Sequence, residues 1–86
     1  MKYELRISNS ARKQLIKLPA SIQKTINVKL VKLCADPFAQ GLDVKKLHGR
    51  DGYRLRIGDY RAIYELENNK LVLTVITVGH RKKIYQ

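Results

Sequence analysis

Two tight-turn signals divide the C-terminal half of this chain: Gly58-Asp59 and Asn68-Asn69. Each stands between segments rich in β-branched and aromatic residues that alternate with polar ones, the pattern of half-buried strands. Glycine first in a two-residue loop suits a type II′ turn, and paired asparagines tolerate the positive φ of type I′. The spacing predicts strands over 53–57, 60–67 and 70–79, joined as a meander.

If both loops hold two residues, pairing follows by counting. Ile57 faces Tyr60, Arg56 faces Arg61 and Leu55 faces Ala62. In the second hairpin Leu66 faces Leu71, Tyr64 faces Leu73, Ala62 faces Val75, and Ile76 faces Arg61. One face then carries Leu55, Ala62, Tyr64, Leu66, Leu71, Leu73 and Val75, all apolar or aromatic, and must be covered. The reverse face carries Arg54, Arg56, Arg61 and Ile63, with Thr74 and Ile76 alongside. Like charges across a strand pair destabilise by a few tenths of a kcal/mol up to about 1. Such a cost is expected where function needs it. Convergent guanidiniums suit a phosphate diester, since each donates two parallel hydrogen bonds. His80, Arg81 and Tyr85 follow the last strand and are expected at the same end. They would add a proton carrier, a further cation and a ring on which a base can stack.

The cover for the apolar face comes from the N-terminal half. Tyr3, Leu5 and Ile7 alternate within a short strand over 2–7. Ser8, Asn9 and Ser10 are helix N-cap residues, and Ala11, Leu15 and Leu18 follow at helical spacing. Pro19 ends that helix. A second runs from about Ala20, with Ile22, Ile26, Leu30 and Leu33 as its stripe, until Asp36-Pro37 stops it. Residues 38–52 read as irregular. The whole is one α+β domain over 1–86, in the order β-α-α-β-β-β, its helical hairpin packed on one face of an antiparallel sheet.

Charge points to the partner. The chain holds 18 Lys and Arg against 7 Asp and Glu, a net charge of +11. A polyanion is the expected ligand, nucleic acid first. Lys13 and Lys17 on the first helix, Lys24, Lys29 and Lys32 on the second, and Lys45 and Lys46 beyond it supply a broad basic surface. No apolar run approaches a membrane span, so no membrane partner is expected, and one cysteine beside two histidines supports neither a disulfide framework nor a zinc site. A reducing cytoplasm fits. The acids make no metal or paired-carboxylate constellation, so neither metal nor cofactor is expected. Cys34 reads as a buried inert thiol and His48 as a solvated loop residue.

The run LHGRDGYRLRIGDYRAIYELENNKLVLTVITVGHRKKIY resembles the RelE/ParE superfamily of bacterial and archaeal toxins, nearer its RelE side. ISNSARKQLIKLP followed by IQKTI is similar to that family's helical hairpin. The resemblance implies a first strand lying beside the last. It implies a type II toxin, an endoribonuclease that cleaves messenger RNA in the ribosomal A site without metal, through attack of a ribose 2′-OH on the adjacent phosphate. It also implies a cognate antitoxin, in a toxin–antitoxin hetero-oligomer; an acidic antitoxin segment would suit the basic surface. By position the family's basic pair falls on Arg54 and Arg56, its later arginines on Arg61 and Arg81, and its terminal tyrosine on Tyr85. RelE-type enzymes often carry lysines where this chain has Arg54 and Arg56. A guanidinium stays protonated and cannot act as base, which leaves His80 as the expected proton carrier. A ParE-like, non-catalytic inhibitor of DNA gyrase and an inactive basic nucleic-acid-binding module are the alternatives.

Overall fold

The computed structural model describes residues 2–82. Its order is β1 (Glu4–Ile7), α1 (Asn9–Ile16), α2 (Ala20–Ala35), β2 (Asp43–Lys46), β3 (Tyr53–Ile57), β4 (Tyr60–Glu67) and β5 (Val72–His80). The strands form one sheet in the order β1-β5-β4-β3-β2. β1 runs parallel to β5 and the other pairs are antiparallel, so the sheet is mixed rather than antiparallel throughout.

Ser8 starts α1 as expected. Its Oγ accepts from the Ala11 N–H (3.1 Å) and donates to Ile76 O (2.9 Å). Ala11 and Leu15 are buried, as are Ile26, Leu30, Leu33 and Cys34 of α2. These residues meet Leu55, Ala62, Tyr64, Leu73, Val75 and Val78 of the sheet in one core. Burial pushes the Cys34 thiol up, in keeping with an inert core group. No helix among the described residues is long and apolar enough to cross a membrane.

The first hairpin has the register that counting predicts: Ile57 pairs with Tyr60, Arg56 with Arg61 and Leu55 with Ala62. Gly58 has φ 58°, and Asp59 is not among the positive-φ residues, which is the type II′ signature. The second hairpin differs. Its loop takes four residues, 68–71, and the left-handed residue is Leu71, with φ 53°. Leu66 therefore pairs with Leu73 and Tyr64 with Val75, a shift of two from expectation. A bulge follows. Ile63 pairs with Thr77, so Ile76 has no cross-strand partner, and it is the Ile76 carbonyl that Ser8 Oγ satisfies. An extra residue in one strand inverts the faces of all that follow it.

β2 is the element that patterning misses. Residues 43–46 read DVKK, with one apolar side chain, Val44, paired to Leu55. An edge strand needs little more than its backbone ladder, so period-two hydrophobicity is weak there. Beyond it the Leu47 N–H donates to Gly52 O (3.0 Å), which folds Leu47 onto Ile63 on the face away from the helices. Gly52 is required at this crossing: its φ is +116°, and a Cβ there would lie 3.0 Å from the Tyr64 carbonyl oxygen.

A non-glycine residue in the left-handed region costs about 1 kcal/mol, and Leu71 is 42% exposed, so it gains little from burial. Asparagine tolerates that conformation better. Leu71→Asn is expected to stabilise the chain by about 0.5–1 kcal/mol, read as a higher urea midpoint at unchanged m-value.

Candidate functional site

The face turned away from the helices carries the basic residues. Across it, Asp43 on β2, Arg56 on β3, Arg61 on β4 and Gly79 on β5 form one row. Lys45, Arg54, Ile63 and Thr77 form the next. The Arg56–Arg61 pair is therefore present as counting predicts. Asp43 is the residue that sequence reasoning missed, because it lies on the missed strand. It stands across from Arg56, yet among the described residues it closes no ion pair there. Gly79, and not Ile76, is the cross-strand partner of Arg61, so no β5 side chain stands directly opposite it.

Arg61 is half-buried, and its Nε is fully shielded from solvent with no hydrogen-bond partner among the described residues. A buried donor left unpaired costs about 1–3 kcal/mol, and more when it is charged. Arg56 is exposed and its Nε reaches Gly58 O at 3.4 Å, long for such a bond. Arg54 is half-buried. Arg81 is exposed, and its backbone N–H donates to Asp59 O (2.8 Å), which holds it beside the β3–β4 turn. Tyr85 lies outside the described residues.

His80 lies elsewhere. It pairs with Tyr60, on positions that alternate with Arg61 and Gly79, and so belongs to the helix side of the sheet. The bulge at Ile76 is the cause: in the unbulged register every even-numbered residue of β5 would share the arginine face. Its ring meets Tyr60 edge-on, with centroids 5.6 Å apart. Lys45 shares the arginine face, whereas Lys46 pairs with Tyr53 and falls on the other. Lys13, Lys17, Lys24 and Lys32 are exposed on the two helices, and Lys29 is half-buried. Among the described residues no cluster of His, Cys, Asp and Glu could hold a metal ion.

The family model for the ParE toxin of the type II toxin-antitoxin system, parDE, matches residues 5–85. The chain belongs to the RelE/ParE toxin superfamily. It is 33% identical to the mRNA interferase toxin RelE of Escherichia coli K12, over 96% of this chain and 87% of that protein. RelE in the archaeal RelE–RelB complex from Pyrococcus horikoshii has the same fold, with a TM-score of 0.84, 30% identity, and coverage of 98% of this chain and 100% of that one. The isolated E. coli RelE toxin gives a TM-score of 0.76 at 30% identity, over 91% and 83% of the two chains. The protein is thus a RelE-like toxin of a type II toxin-antitoxin system.

Proposed function

We propose that this RelE-like toxin is a ribosome-dependent endoribonuclease, and that the arginine face holds the scissile phosphate of messenger RNA. The observation that carries this reading is the cross-strand pairing of Arg56 with Arg61, on a face shared with Arg54 and Lys45. Converging guanidiniums of this kind donate to phosphate oxygens. In the reaction the ribose 2′-oxygen bonds to phosphorus and the P–O5′ bond breaks, leaving a cyclic phosphate and a 5′-OH. Charge builds on the non-bridging oxygens, and Arg56, Arg61 and Arg81 stabilise it as fixed cations. Arg54 and Lys45 align the flanking backbone, and Tyr85 stacks on a base. The guanidiniums keep their protons throughout. Asp43, across from Arg56, is the carboxylate paired with the arginine row, placed to take the 2′-OH proton, and the departing 5′-oxygen takes its proton from water.

The names of the relatives support the reading: the E. coli protein is an mRNA interferase, and the Pyrococcus structure is a complex with RelB. The partner that silences this chain is an antitoxin whose segment over the basic surface is acidic. The ribosomal RNA partner meets the lysines of α1 and α2.

A second reading has its own support, since the matching family model is that of ParE. Purified protein added to programmed ribosomes separates the two. Cleavage of the A-site codon, slowed at least tenfold in Asp43→Asn, is the expected result. Intact message, together with arrested DNA supercoiling by gyrase, would select the ParE-like reading.

A further inference from the structure

The residues that the bulge turns away from the arginine face gather around a cleft of about 430 Å³. It opens between the C-terminal end of α1 and the ends of β4 and β5. Leu18, Pro19 and Val78 give it an apolar lining, Tyr60 and His80 stand in it as rings, and Lys17 adds a cation. The two rings meet at 77°, so each keeps a face the other does not cover.

The imidazole is also oriented. The Lys82 N–H donates to His80 Nδ1 at 3.2 Å, so Nδ1 supplies the lone pair and the neutral ring carries its proton on Nε2. The outer nitrogen is therefore a hydrogen-bond donor. A flat ligand with acceptor atoms at its rim fits rings, a donor and a nearby cation together; an aliphatic side chain would leave the donor and the cation unused. Position narrows the ligand further. Tyr60 and His80 stand one residue from Arg61 and Gly79, about 3.4 Å along the strands, but on the opposite side of the sheet. A single strand whose phosphate lies on Arg56 and Arg61 reaches the cleft by passing around the Gly58-Asp59 end.

We propose that this cleft is a nucleobase pocket for single-stranded RNA, taking the base of a nucleotide next to the one held on the arginine face. Stacking on Tyr60 supplies sequence-tolerant affinity, and the His80 Nε2–H adds preference for a base with an acceptor at its rim. The proposal rests on the RNA-cleaving reading above, and one experiment distinguishes their failures. Isotope-labelled protein is titrated with a 2′-O-methyl dinucleotide, which cannot be cleaved, and followed by NMR. The expected result is a coupled response of the Tyr60 and His80 ring signals and the Arg61 side chain. Tyr60→Leu should weaken the cleft response about tenfold with a dispersed, folded spectrum, and Tyr60→Phe should restore it. Shifts at Arg56 and Arg61 with a silent cleft would overturn the pocket and leave the phosphate site standing. Shifts in the cleft alone would support the pocket and count against the phosphate site. A cleft that ignores the dinucleotide and responds only to the antitoxin would also overturn the proposal.

Discussion

Arg61→Met is expected to lose roughly a hundredfold or more in cleavage rate on ribosomes while becoming no less stable. The two effects have one origin. Arg61 Nε is buried without a partner among the described residues, so the folded protein carries a desolvated donor that nothing repays. Methionine keeps the buried stem of the side chain and removes the cation, so the fold loses a strain of about 1–3 kcal/mol and no packing. It also removes the repulsion from Arg56 across the strand pair. In the transition state the same change removes a charged donor from a developing dianion, worth about 3 kcal/mol. Urea denaturation and single-turnover cleavage read the two quantities separately. A drop in stability alongside the drop in rate would mean that Arg61 is a structural residue, and a stable variant with full activity would remove it from the site.

Tyr64→Ala carries the largest expected cost to the fold. Tyr64 has no exposed surface, pairs with Val75 just before the bulge, and stacks on Tyr53 with centroids 5.6 Å apart and planes at 21°. Truncating a buried aromatic costs about 3–5 kcal/mol, against a total of about 5–10 for a chain of this size. The variant should be largely unfolded near 37 °C, with a urea midpoint lowered by a third or more. The phenol adds a pH signature. Burial first, and Tyr53 second, hold the Tyr64 hydroxyl well above its usual range, so the fold binds a proton that the unfolded chain releases. Stability is complete below about pH 10, the unfolded value, and falls as pH rises beyond it. Tyr64→Phe should flatten that alkaline decline; an identical alkaline profile would show that other groups govern it.

The parts of the fold legible in the sequence are those with strong local chemistry. Gly58 at positive φ sets the β3–β4 hairpin, and with it the Arg56–Arg61 pair. Ser8, Pro19 and Asp36-Pro37 bound the helices. Three things were not legible. β2 has one inward apolar residue and owes its place to backbone pairing with β3, so Asp43 was not foreseen beside Arg56. Asn68-Asn69 carries a two-residue turn signal, yet the chain makes a four-residue loop with Leu71 in the left-handed region. The bulge at Ile76 has no local signature at all: it is satisfied by Ser8, far away in sequence, and it alone decides which side of the sheet receives His80. A site assembled from strand positions is only as legible as the register beneath it.

β1 lies beside β5, with Glu4 next to Val72 and Ile7 next to Val75, so the first strand made is completed by the last. The α1 cap and the bulge are joined across the same span by Ser8 and Ile76. Contacts between distant parts of a chain form late, because the loop between them must close first. During synthesis β1 has no strand to pair with until residues 72–75 have left the ribosome. The sheet, and with it the face that carries Arg56 and Arg61, is consequently complete only after the last strand has been made.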